Sequence, residues 1–209
     1  MKLAFIGIGN VGFAIANQLQ QKGHQICIAS NDENSETVQL ALQKNSAFSI
    51  QSIQEAIATS DIVFLATPFQ ANETILKELQ FKGKILVDCT NPVGPDISHG
   101  LNSEISGSEK VQEWAPDAKV VKAFTIYGFE NLIDSSYSNY TVKPVMMIAG
   151  NDLQSKEVIS KINTDMGFET LDTGKLDQAL HLEHMTLLWV KMVRRDGHHP
   201  NFVWAYLEK

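Results

Sequence analysis

The chain has 209 residues, of which 44% are hydrophobic and 20% are charged, so it can bury a substantial core. Its net charge of −7 gives no electrostatic indication of binding to nucleic acid or to an anionic membrane, so we expect neither partner. Because we find no signal peptide and no apolar run of membrane-spanning length, we expect a cytoplasmic protein.

The chain begins with an apolar strand that leads into a glycine-rich turn and then a helix. Residues 2–6 form the strand, and Gly7-Ile8-Gly9-Asn10-Val11-Gly12 matches the pattern G-x-G-x-x-G. In this pattern Gly7 permits the tight turn, Gly9 leaves room for a pyrophosphate, and Gly12 lets the helix lie close to the strand. The N–H groups of the first helical turn then face the phosphates. This context favours a dinucleotide-binding turn over a glycine turn without a ligand.

Strands and helices alternate along the rest of the chain, which predicts parallel β-α-β units. The predicted strands are 25–29, 61–66, 84–89, 119–124, 145–150 and 169–171. The predicted helices are 35–44, 52–58, 71–79, 110–115, 154–166 and 177–195, with a loop over 94–108. We therefore expect an α/β fold, a Rossmann-type doubly wound and mostly parallel sheet over residues 1–174. A short C-terminal helical segment, 175–209, would pack on this domain or on a second copy in a homodimer.

Ligands of an open α/β sheet bind beyond the carboxyl ends of the strands, where the strand order reverses. The residues expected to bind the cofactor are Gly7, Gly9, Asn10, Val11, Gly12, Ser30, Asn31, Asp32, Thr67, Pro68, Asn91, Pro92 and Ala123. They include no carboxylate pair, no nucleophile beside a base and no set of metal ligands. We therefore predict that no side chain is catalytic and that Asn91 and Thr125 only position a cofactor that carries the chemistry.

The loop after the second strand bears on the choice between NAD and NADP. An acidic residue there binds the ribose 2′-hydroxyl of NAD, whereas a basic one binds the 2′-phosphate of NADP. Asp32 lies 20 residues after Gly12, as in NAD-binding chains, and no Arg or Lys occurs between Gly23 and Lys44. Asp32 and Glu33 equally suit the exposed N-terminus of the next helix.

Histidines on the last helix raise the question of a metal site. His181 and His184 are three residues apart, and His198 and His199 follow. Zinc requires three or four converging ligands, and we expect Glu183 on a different side of the helix from the histidine pair. We therefore predict no metal site. The two cysteines lie in apolar runs, which favours reduced core thiols.

The chain resembles the coenzyme F-420-dependent NADP oxidoreductases (the deazaflavin reductases), and its Rossmann domain is similar to the cytosolic domain of membrane ferric reductases. The matching stretches are 7–12, 87–92, 119–124, 145–150, 167–169 and the helix with Leu182-Glu183 and Leu187-Leu188-Trp189. The resemblance implies NADP and direct hydride transfer between a nicotinamide and a flat second ring. Members usually have Asn at the position of Thr125 and a Ser-Arg type of pair where this chain has Asp32-Glu33. The predicted cofactor is therefore NADP or NAD.

The short C-terminal segment separates this chain from related dehydrogenases and imine reductases, which usually add a large helical domain. About 35 residues are too few for such a domain, so an open cleft for a deazaflavin, a flavin or a similar acceptor fits better. The predicted function is an NAD(P)-dependent oxidoreductase acting on such an acceptor. The alternative is a dinucleotide-binding sensor or partner subunit without turnover. The physiological acceptor and the direction of transfer stay open.

Overall fold

The computed structural model describes residues 1–209 and contains one eight-stranded sheet. The strands are β1 (Lys2–Ile6), β2 (Gln25–Ala29), β3 (Ser49–Gln51), β4 (Ile62–Leu65), β5 (Ile85–Asp88), β6 (Lys119–Lys122), β7 (Val145–Gly150) and β8 (Glu169–Asp172). Their order is β3-β2-β1-β4-β5-β6-β7-β8, and only the β6–β7 pair is antiparallel. The predicted Rossmann-type, mostly parallel sheet is confirmed. The strand order reverses between β1 and β4, which places the expected ligand crevice there.

Eight α-helices cover the sheet. They are α1 (Asn10–Gln21), α2 (Glu36–Lys44), α3 (Ile53–Thr59), α4 (Asn72–Leu76), α5 (Gly107–Trp114), α6 (Phe129–Ile133), α7 (Leu153–Asp165) and α8 (Ala179–Val190). A π-helical turn, Lys191–Arg195, extends α8. None of these helices is long and apolar enough to cross a membrane.

Strand β4 is apolar along its whole length, and β1 is apolar after Lys2, as expected of strands that are buried on both faces of the sheet. In β1, Leu3 and Phe5 join the core on one face, whereas Ala4 and Ile6 join the core on the other face. Phe5 pairs in register with Phe64 of β4, and their rings stack with centroids 4.6 Å apart. This packing fixes β1 against β4, and with it the two strand ends that border the crevice.

The C-terminal segment packs on the sheet within the same chain. Leu182, Trp189 and Val193 belong to the larger apolar core. The chain then returns to β7, where the Val145 N–H donates to the Trp204 carbonyl oxygen over 2.9 Å. Residues 175–209 therefore share their core with residues 1–174.

Several predicted boundaries were wrong, mostly at short elements. The predicted loop 94–108 ends too late, because α5 begins at Gly107 with a capping box in which Ser106 and Glu109 bond each other's main-chain N–H. The three-residue strand β3 and the five-residue helix α6 were missed, since so few residues show no clear period. The helix predicted over 71–79 is shorter, Asn72–Leu76.

Candidate functional site

The glycine turn at the carboxyl end of β1 has the geometry of a phosphate cradle. Gly7 adopts φ +90°, and a Cβ there would lie 2.7 Å from the Ala66 carbonyl and the Thr67 nitrogen. Gly12 packs just as closely on the main chain of Gly7. A Cβ on Gly9, in contrast, would meet no atom within 4 Å. The first turn of α1 therefore faces open space, which is where an anion can approach its N–H groups.

Parallel pairing brings the other predicted site residues to the same edge of the sheet. Thr67-Pro68 follows β4, Asn91-Pro92 follows β5, and Thr125 lies three residues after β6. Thr67 and Asn91 are partly exposed, whereas Thr125 is only 2% exposed. Ala123 is fully buried, and its N–H donates to the Asp88 carbonyl oxygen, which continues the pairing of β5 and β6 beyond Lys122.

Two buried polar atoms at this edge have no hydrogen-bond partner within the chain. They are Asn91 Oδ1 and Thr125 Oγ1. Five other buried side-chain atoms also lack a partner, but these two lie at the strand ends that border the crevice, where a bound ligand would supply the missing bonds. An amide oxygen accepts a hydrogen bond, and a hydroxyl can donate one. The pair is therefore suited to a planar carboxamide, which has one N–H₂ donor and one carbonyl acceptor.

The loop after β2, which we call the ribose loop (residues 30–34), borders a cavity of about 440 Å³. Ser30 Oγ accepts from the Asp32 N–H over 3.1 Å, and Asn31 Oδ1 accepts from the Ile53 N–H at the start of α3 over 3.1 Å. Asp32 Oδ1 accepts from the Asn34 N–H, which leaves Oδ2 free. The cavity is lined by Ser30, Asn31, Asp32, Glu33, Asn34, Ile50, Gln51 and Ser52. No cation lines it, so it suits a ribose hydroxyl better than a 2′-phosphate.

Three buried charges meet where β5 and β6 end, and we call Asp88, Lys122 and Glu183 the ionic cluster. Each of these residues is at most 1% exposed. Lys122 Nζ donates to Asp88 Oδ2 over 3.3 Å, to Glu183 Oε1 over 3.0 Å and to the Thr90 carbonyl oxygen over 2.5 Å. All three of its donors are satisfied. Burial lowers the pKa of Lys122, but the two carboxylates raise it to a net value above the ordinary one.

Glu183 of α8 connects this cluster to two further parts of the chain. It accepts from the Gly107 and Ser108 N–H groups at the start of α5, over 3.0 and 3.4 Å. It also bonds His99 Nε2 over 2.8 Å. Because His99 Nδ1 accepts from the Leu101 and Ser103 N–H groups, Nε2 carries the ring proton and donates to Glu183.

The sequence patterns did not reveal the ionic cluster. Asp88 and Lys122 sit inside apolar runs, and Glu183 was considered only as a metal ligand. The available signal was the presence of single charges in strands that are otherwise buried on both faces. No group of three His, Cys, Asp or Glu side chains in residues 1–209 is arranged to hold a metal ion. His181 and His184 are both exposed, and burial together with His99 and His181 lowers the pKa of His184.

Comparison with known proteins agrees with this geometry. Residues 2–92 match the protein family described as "NADP oxidoreductase coenzyme F420-dependent". The chain is 27% identical over 188 residues to metalloreductase STEAP3 of Rattus norvegicus. The aligned region is 89% of this chain and 36% of the rat protein. It therefore spans about a third of that relative, given the 36% coverage.

Two further proteins match over nearly the whole chain. The F420-dependent NADP reductase of Methanothermobacter thermautotrophicus is 24% identical over 216 residues, which is 94% of this chain and 90% of that protein. A crystal structure described as an F420 dependent NADP-reductase of Arthrobacter sp. FB24 has the same fold, with a TM-score of 0.81, 24% identity and 100% coverage of both chains. The family match confirms the predicted resemblance over residues 2–92, and the description of that family names an NADP oxidoreductase.

Proposed function

We propose that this chain, with a nucleotide-binding domain of the F420-dependent NADP oxidoreductase type, transfers a hydride directly between a nicotinamide and a flat conjugated acceptor. The observation that carries the proposal is the pair of unpartnered buried atoms, Asn91 Oδ1 and Thr125 Oγ1, at the edge where the glycine turn opens. The bound nicotinamide supplies the hydride. The chain binds the pyrophosphate at Gly9, orients the carboxamide through Asn91 and Thr125, and leaves the ring face open.

The acceptor class follows from what the site lacks. None of the side chains at the strand ends is placed as a proton donor for a carbonyl or an imine, and the buried charges are engaged with one another. A conjugated ring that accepts a hydride into its π-system needs orientation more than acid or base help. A deazaflavin or a flavin fits this requirement. A ferric chelate, suggested by the metalloreductase relative, would take electrons one at a time and therefore need such a ring as an intermediary.

The experiment that tests this function mixes the protein with NADPH or NADH and, separately, with a deazaflavin, a flavin and a ferric chelate. We expect the absorbance of the reduced nicotinamide to fall with the deazaflavin or the flavin. Tight binding of the dinucleotide without oxidation by any acceptor would instead support the alternative, a sensor or partner subunit without turnover. Such a result would contradict the proposed oxidoreductase.

We expect the ribose loop to weaken the binding of NADPH relative to that of other family members. Asp32 Oδ2 is free, and no cation lines the cavity, so a 2′-phosphate would meet a like charge. Replacing Asp32 with Arg should strengthen NADPH binding by about tenfold, the scale of one charge-assisted hydrogen bond. Calorimetry with NADPH and NADH measures the change, and Glu33→Gln serves as a neighbouring control. Wild-type protein that binds NADPH far more tightly than NADH would contradict this account of the loop.

We expect the rate of hydride transfer to vary little with pH wherever the acceptor and the fold are unchanged. Asn91 and Thr125 do not titrate, and the lowered pKa keeps His184 uncharged near neutrality. Asn91→Ala and Thr125→Ala should each lower affinity and rate by about tenfold, the net value of one hydrogen bond or slightly more. The measurement is the pH profile of kcat/KM for wild type, His181→Gln and His184→Gln. A bell-shaped profile that disappears in either histidine variant would point to carbonyl or imine reduction.

The cytoplasm is the compartment that we propose. Cys27 and Cys89 are both unpaired and buried, and burial raises the pKa of each thiol. Unpaired buried thiols are typical of proteins in a reducing compartment.

A further inference from the structure

We propose that α8 is the positioning element of the nicotinamide site: Glu183 and Thr186 hold the two strand ends that carry Asn91 and Thr125. This inference rests on the proposed function, because it assigns a role relative to the nicotinamide. Glu183 and Thr186 are three residues apart and therefore lie on one face of the helix. Both are buried, and that face meets the carboxyl ends of β5 and β6.

Glu183 acts on Asn91 through Lys122 and Thr90. Glu183 anchors Lys122 Nζ, which donates to the Thr90 carbonyl oxygen over 2.5 Å. The Thr90 N–H donates to Asp88 Oδ1 over 2.9 Å, so both main-chain groups of Thr90 are bound. Asn91 is the next residue, and the proline that follows it further restricts its backbone conformation. The ionic cluster therefore holds the main chain that leads into Asn91.

The N-terminus of α5 completes this support. Gly107 donates its N–H to Glu183 Oε2 over 3.0 Å. A Cβ on Gly107 would lie 3.0 Å from Pro92 Cδ and 3.1 Å from Glu183 Oε1. Glu183 and the Asn91-Pro92 turn thus pack against the same glycine, and a shift in the carboxylate would be transmitted to the turn.

Thr186 acts on Thr125 directly. Its hydroxyl donates to the Thr125 carbonyl oxygen over 2.8 Å, and the Leu182 carbonyl oxygen lies 3.1 Å away. The preceding residue, Phe124, has φ +59°, a left-handed conformation that costs energy for an aromatic residue. Surrounding contacts must hold this conformation, and the Thr186 bond is one of them. Thr125 therefore presents Oγ1 to the site because α8 holds its main chain.

The experiment measures the binding of two ligands to each variant. The first is NADPH or NADH, whichever wild type binds more tightly. The second is ADP-ribose, which has the adenosine and the pyrophosphate but no nicotinamide. In Thr186→Val, which keeps the shape and removes the hydroxyl, we expect the dinucleotide to bind about fivefold to tenfold more weakly. Binding of ADP-ribose should stay within about twofold of wild type, since its contacts are unchanged. Thr186→Ser restores the hydroxyl and should recover dinucleotide binding.

Glu183→Gln provides a second, independent test, because it removes one charge and keeps the volume. In this variant too we expect weaker binding of the dinucleotide and unchanged binding of ADP-ribose. Equal losses for both ligands would show a purely structural role and overturn the inference, as would unchanged binding of both in a folded Thr186→Val protein. The readout is binding, so it does not depend on turnover. A nicotinamide-specific loss without oxidation of any acceptor would keep this inference and refute the proposed oxidoreductase.

Discussion

A Gly9→Val variant should fold normally and lose nucleotide binding by about a hundredfold or more, which corresponds to two charge-assisted hydrogen bonds. The reason is local. A Cβ at Gly9 would meet no atom within 4 Å, so we expect the packing around the turn to be preserved, and Gly9 directly precedes the first N–H groups of α1. The bulky side chain would occupy the position of the pyrophosphate. Calorimetry with NADPH, NADH and ADP-ribose measures the loss.

Thermal unfolding is the control for this variant, and we expect a melting temperature close to that of wild type. Gly9→Ala should bind with intermediate affinity, since its methyl group fills less of the cradle. Unchanged nucleotide affinity in a folded Gly9→Val protein would place the pyrophosphate elsewhere. Substitution at Gly7 cannot serve as a comparison because its φ of +90° and the contact with Ala66 would strain any side chain.

A Lys122→Met variant should lose about 3–5 kcal/mol of stability, the scale observed when one partner of a buried ion pair is removed. The substitution would leave Asp88 and Glu183, which are 0% and 1% exposed, without their cation. Because the folded-state pKa of Lys122 is raised, its contribution is fully present below the unfolded pKa of about 10.4 and is lost as pH rises through the folded value. Urea unfolding at neutral pH measures the difference.

The matched control is Lys77→Met, which removes an exposed lysine that pairs with Glu73 four residues earlier. An exposed pair contributes about 0–1 kcal/mol, so this variant should stay close to wild type. Adding Glu183→Gln to Lys122→Met should recover part of the loss, because one of the two unpaired charges disappears. A Lys122→Met protein as stable as the Lys77→Met control would show that the ionic cluster does not contribute to the fold.

The glycine turn and the strand ends could be predicted from sequence because local signals specify them. Gly7 and Gly12 are required by close contacts with neighbouring main chain, and the apolar run before them can only be a buried strand. Asn91 and Thr125 follow from strand ends in the same way. The glycine pattern and the strand ends can each be recognised from a few adjacent residues.

The ionic cluster could not be predicted in this way because its members are far apart in sequence. Lys122 is 34 residues from Asp88 and 61 from Glu183, and the three meet only after α8 folds back on the sheet. Asp88 and Lys122 are single charges in apolar runs and Glu183 lies within α8, so none of the three indicates which residues it meets. Their convergence depends on the parallel register of β5 and β6 and on the approach of α5 through Gly107.

The most direct test of direct hydride transfer uses a dinucleotide in which deuterium replaces both hydrogens at C4 of the reduced nicotinamide, and a 5-deazaflavin as acceptor. Because the C4–deuterium bond breaks as a new bond forms at C5 of the deazaflavin, we predict deuterium at C5 of the reduced product, measured by mass spectrometry. A product reduced only with hydrogen from the solvent would contradict direct transfer between stacked rings.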